Sequence, residues 1–120
     1  MNNQARRIQP EDPEIAEEWL RETDEPDLRA VGACKIDRIG GWQVSVWVME
    51  FIRSDPLESE LRQRIRSALL GVSGVFSAEE EGREVWFVTG TPSGQALVEA
   101  AAKVVDELAA HACAYIASEF

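Results

Sequence analysis

The residues able to do chemistry in this chain are few. Glu79-Glu80-Glu81 sets three carboxylates in a row, the donor type a hard divalent cation takes. In a strand, however, alternation sends Glu80 to one face and its two neighbours to the other. No histidine or aspartate stands beside them. The run therefore reads as a solvated sheet edge whose charges discourage strand-to-strand aggregation. Cys34 and Cys113 are the two cysteines, spaced as neither a disulfide framework nor a metal knuckle. His111 follows Glu107 by four residues, the spacing of a helical ion pair. Gly90-Thr91-Pro92-Ser93-Gly94 could hold an anion at a helix start. It lacks the lysine and the longer spacing of a phosphate-binding loop, so it reads as a turn plus cap. Arg62, Arg64 and Arg66 could likewise bind an anion, but they balance nearby Glu58 and Glu60. No Ser/His/Asp set is present. The expectation is a non-catalytic protein with no cofactor and no metal. An enzyme using a cleft beside Glu50 and Trp47 is the alternative.

These residues must be positioned by elements, and the densest apolar stretch is Trp42–Phe51, W-Q-V-S-V-W-V-M-E-F. Its valines and tryptophans, preceded by Gly40-Gly41, predict a central strand. Val44, Val46 and Val48 fall on one face; Trp47, Met49 and Phe51 fall on the other. Both faces are apolar, so both need cover.

Before it, Ala30–Ile39 predicts a partner strand, joined through Gly40-Gly41 as a two-residue turn. That register sets Cys34 and Ile36 beside Trp47 and Ser45, and Lys35 and Asp37 beside Val46 and Val44. It makes the Trp47/Met49/Phe51 face the main core and leaves the valines with charged neighbours. Residues 1–29 carry nine acids against four bases. Met1–Pro10 is expected to be disordered. Asp12, Pro13 and the following acids predict a short helix over about 13–23, with Ile15 and Trp19 on one face. It either pins to the domain through Trp19 or serves as a docking peptide.

After the central strand, Ser54-Asp55-Pro56-Leu57-Glu58 reads as a capping box opening a helix. Leu57, Leu61, Ile65, Ala68 and Leu69 line its buried face, and Gly71 ends it. Val75–Glu81 and Glu84–Thr89 predict a hairpin around Gly82-Arg83, with Ala78 facing Phe87 and Glu80 facing Val85. Thr91-Pro92-Ser93 starts a last helix to about Ser118, striped by Leu97, Ala101, Val104 and Leu108, with Tyr115 further on.

The stretch L-R-Q-R-I-R-S-A-L-L-G-V-S-G-V-F-S-A-E-E-E-G-R-E-V-W-F-V, a helix leading through Leu-x-Gly-Val into a hairpin, resembles the heavy-metal-associated domain. The β-α-β-β-α portion from about 42 to 110 resembles a ferredoxin-like split β-α-β module. That family's metal function rests on a Cys-x-x-Cys in the first strand-to-helix loop. The matching Ile52-Arg53-Ser54-Asp55-Pro56 has no cysteine, so metal transfer does not carry over. The resemblance implies an α+β fold: a four-stranded antiparallel sheet, ββαββα, with two helices on one face. To it the N-terminal segment 1–29 adds a short helix ahead of the domain 30–120.

In that fold the sheet's other face exposes Val44, Val46, Val48, Trp86 and Val88, with Trp19 able to cover part of it. Such a patch exceeds what monomers commonly leave wet. The expected function is a protein-interaction module that self-associates through this open face as a homo-oligomer. The net charge of −10 over 120 residues raises a second expectation, an inhibitor or immunity-type protein binding a basic partner. It argues against nucleic acid and anionic membranes. The first residues lack a signal peptide's apolar core, and a cytoplasmic location is expected.

Overall fold

The structure, a computed structural model, describes residues 4–22, 30–47, 57–82 and 84–119, the last helix by its backbone alone beyond residue 108. The elements are β1 (Arg6–Ile8), β2 (Ile15–Glu22), β3 (Ala30–Ile36), β4 (Gly41–Trp47), α1 (Leu57–Leu70), β5 (Val75–Gly82), β6 (Val85–Gly90) and α2 (Gly94–Glu119). One sheet of six strands runs in the order β1-β2-β3-β4-β6-β5, and every neighbouring pair is antiparallel. β6 lies between β4 and β5, so those two run parallel with α1 as their crossover. The expected four-stranded sheet with an N-terminal helix is therefore corrected to a six-stranded antiparallel sheet with two helices.

The correction begins at Asp12-Pro13. The helix expected over 13–23 is strand β2, and part of the stretch expected to be disordered is strand β1. The Asp12 side chain does cap a backbone N–H, accepting from Glu14 at 2.9 Å. Its carbonyl accepts from Ile15 at 3.1 Å. This is the chemistry of an aspartate turn, which a helix start shares. Here it turns a hairpin. The Ile15/Trp19 spacing mimics a helical stripe, but alternation decides: Trp19 pairs with Ala33 on one face while Leu20 pairs with Gly32 on the other.

The β3–β4 connection differs as well. Asp37–Ile39 forms a 3₁₀ turn closed by Gly40 at φ 68°, a left-handed conformation suited to glycine. Gly41 then opens β4. The pairing shifts by four residues from the two-residue-turn expectation: Cys34 lies opposite Gln43, and Lys35 opposite Trp42. Val44 and Val46 thus neighbour Ala33 and Val31, small apolar side chains and not charges. In the second hairpin a bulge between Glu80 and Gly82 sets Ala78 opposite Val88 and Glu80 opposite Trp86. That is one residue off the expected pairing, which moves Ala78 to the Trp86/Val88 face.

Both helices cover the valine face. Leu61, Ile65 and Leu69 of α1, and Leu97, Val98, Ala101, Val105 and Leu108 of α2, form one buried cluster with Val31, Ala33, Trp42, Val44, Val46, Ala78, Trp86 and Val88. Each large side chain among them taken out of water contributes about 1.5–3 kcal/mol, and the alanines less. The core is therefore on the side expected to be open. Met49 and Phe51, assigned to the opposite face, and the capping box at 54–58 lie outside the residues whose side chains are described.

Candidate interaction face

Cross-strand partners share a face, so the ladder identifies what the helices leave uncovered. On β3 these are Ala30, Gly32, Cys34 and Ile36; on β4, Gly41, Gln43, Ser45 and Trp47; on β6, Val85, Phe87 and Thr89. No charged residue occupies this centre, in a chain that is 28% charged. Leu20, Ile15 and Ile8 extend the apolar surface over β2 and β1. Charges flank this three-strand centre on the very next strands: Glu18 and Glu22 on β2, opposite Cys34 and Ala30, with Arg6 on β1, and Glu79 on β5, opposite Phe87.

Two aromatic rings lie on this face above glycines. A Cβ at Gly41 would sit 2.8 Å from the Phe87 ring, and Trp47 lies against Gly32. Only a residue without a side chain leaves room for the Phe87 ring there. Trp47 remains 51% exposed even so. Cys34, half-buried between Glu18 of β2 and Gln43 of β4, is held as a neutral thiol. Burial pushes it up to about 11, and the charge and hydrogen bond of Glu18 push the same way.

The sign of that shift fixes a behaviour. Between about pH 9 and 11 the folded chain keeps a proton that the unfolded chain has released. The thiol's contribution to stability is thus complete below pH 9 and fades as the pH rises toward 11. Reactivity follows the thiolate fraction. In a Cys113→Ser background, alkylation of Cys34 at pH 8 is expected to run about a hundredfold slower than that of an unhindered thiol. Glu18→Gln recovers part of the rate but not all, because burial is the larger cause. Mass-spectrometric labelling rates check both.

The residues expected to form an exposed interface are placed differently. Val44, Val46, Trp86 and Val88 are each 1% exposed or less, beneath the chain's own helices. Trp19 is half-buried on the same side, packed against the core. Val48 lies outside the described residues, as does Glu50. An open face exists, but on the opposite side, and it brings together Leu20, Cys34, Trp47 and Phe87. The signal for it was the uncharged alternation through Gln43, Ser45 and Trp47, with Gly41 beside Phe87.

The remaining charged groups serve the fold. Arg21, 16% exposed, donates to Asp106 at 2.8 Å and approaches Glu99 at 4.0 Å. The backbone N–H of Ala5 donates to Glu99 at 2.7 Å. Together they fasten the β1–β2 hairpin to α2. Arg64 pairs with Glu107 and Glu60. Arg66 donates to the Ala78 carbonyl at 3.0 Å, beside Glu79, and so occupies part of the β5 edge. Ser93 accepts from the Ala96 N–H at 3.3 Å, the expected cap. Glu79, Glu80 and Glu81 border a hollow of about 420 Å³ with Ile39 and Phe87. Among the described residues no group of acidic, histidine or cysteine side chains is placed to hold a metal ion, and no helix is long and apolar enough to cross a membrane.

Scans against protein-family models, curated proteins and solved structures return no match. The heavy-metal-associated resemblance thus has no support beyond its pattern, and the site stands on its geometry.

Proposed function

We propose that this chain is a non-catalytic protein-interaction module whose working surface is the sheet face opposite the helices. The observation that carries this is the uncharged stretch of β3, β4 and β6 on that face, with Trp47 half in solvent at one end of β4 and Ile36 and Phe87 beside the other end. An uncharged centre flanked by charged groups is the arrangement of an interface. Aromatic side chains at such a centre are the groups that dominate binding energy. Trp47 is 51% exposed while Leu20, Ile36 and Phe87 are half-buried, so a monomer forgoes only part of the about 1.5–3 kcal/mol that full burial of each large side chain contributes.

A photo-crosslinking amino acid in place of Phe87 tests the reading in cells expressing the full chain. The same probe at Gln63, exposed on α1, is the control. A protein adduct is expected from position 87 and none from 63. Equal yields, or no adduct at 87, overturn the reading.

A further inference from the structure

We infer that the occupant of the open face is a second copy of this chain, stacked sheet against sheet. This rests on the interaction reading above and adds the partner's identity. Two observations argue for it, and the first is breadth. Leu20 on β2 and Phe87 on β6 are three strand spacings apart, about 14 Å. A helix, about 10 Å across with its side chains, or a single strand, cannot cover both. Six strands about 4.8 Å apart and roughly seven residues long give a face of about 600 Å² before side-chain relief. That approaches the ~800 Å² per partner of a standard interface. Only an occupant as wide and flat as this sheet uses it all, and facing sheets pack about 10 Å apart.

The second observation is charge. Each copy carries −10, so two copies repel over most of their surface. Along β3, β4 and β6 they can meet without opposing carboxylates, while Glu18 and Glu79 stand on the strands to either side. An interface between identical patches is self-complementary under a two-fold axis, and an uncharged patch meets that condition without paired opposite charges. The same argument fixes the sign of the salt response. Screening relieves the repulsion between two acidic copies, so added salt tightens a homodimer. A basic partner would be released by the same salt.

Light scattering and sedimentation on the purified full chain test this. The expected mass is twice 13.4 kDa, with the dissociation constant falling several-fold between 50 and 500 mM sodium chloride. Trp47→Glu and, separately, Ser45→Arg put a charge into the stacked face without removing any fully buried side chain. Each is expected to weaken the dimer by about a hundredfold or more while circular dichroism stays unchanged. A dimer that persists in both folded variants overturns the inference, because the contact then lies elsewhere. A wild-type monomer at millimolar concentration also overturns it. In that case a position-87 adduct of another mass leaves the interaction reading standing, and the absence of any adduct removes both.

Discussion

Trp86→Ala is expected to lower the unfolding free energy by about 3–5 kcal/mol, the largest loss foreseen for any single truncation here. Trp86 is fully buried on β6, opposite Val44 on one side and Glu80 on the other. It sits in the layer between sheet and helices, buried with Val44, Val88 and the inward side chains of both helices. Its Nε1–H has no acceptor among the described residues, so the cost is one of volume and contact, not of a broken hydrogen bond. That separates two variants. Trp86→Phe keeps a ring and removes an unpaired buried donor, which by itself is favourable. It should lose far less than alanine does. Urea unfolding of the two variants checks the difference. Equal losses would show that an indole hydrogen bond matters after all.

Gly94→Ala is the second large effect, and a less obvious one. Alanine normally favours a helix over glycine by up to about 1 kcal/mol. Here the added methyl would fall 2.4 Å from Cδ1 of Trp19 and 2.5 Å from Cη2 of Trp42. The first turn of α2 rests on these two indoles. Trp42 is 3% exposed and has little room to move. Accommodating the methyl means lifting the helix start or displacing a ring, and such overpacking typically costs 1–3 kcal/mol. Thermal unfolding of Gly94→Ala against Gln95→Ala, an exposed neighbour, is the check. The glycine variant should melt lower and the glutamine variant should not.

How much of this was written in the residues differs from element to element. The two helices were legible: the stripe Leu61, Ile65, Leu69 and the stripe Leu97, Ala101, Val104, Leu108 are buried in the structure, because an apolar stripe sustained at the 3.6-residue period over several turns fits a helix and not a strand. Strands β3 to β6 were legible as strands. Their pairing was not. A 3₁₀ turn closed by Gly40 replaced an assumed two-glycine turn before β4, and a bulge displaced β5 by one residue. Turn geometry sets register, and neither device has a unique signature in the residues. The N-terminal strands were misread because Asp12-Pro13 satisfies a backbone donor equally well at a helix start and in a hairpin. The interaction face followed from these errors. Two apolar faces on β4 were evident; which one the helices cover depended on whether Val44 meets Ala33 or Asp37.

The fastening of Ala5 and Arg21 to Glu99 and Asp106, and the seating of Trp19 on the start of α2, join the opening of the chain to its closing helix. The layer they seal cannot be completed on the ribosome until α2 has emerged. Until then α1 alone is available to cover the core face, and the part that α2 seals stays wet. Such long-distance closure is slow by nature, and the protein's exposure to stray contacts is greatest while it is still being synthesised.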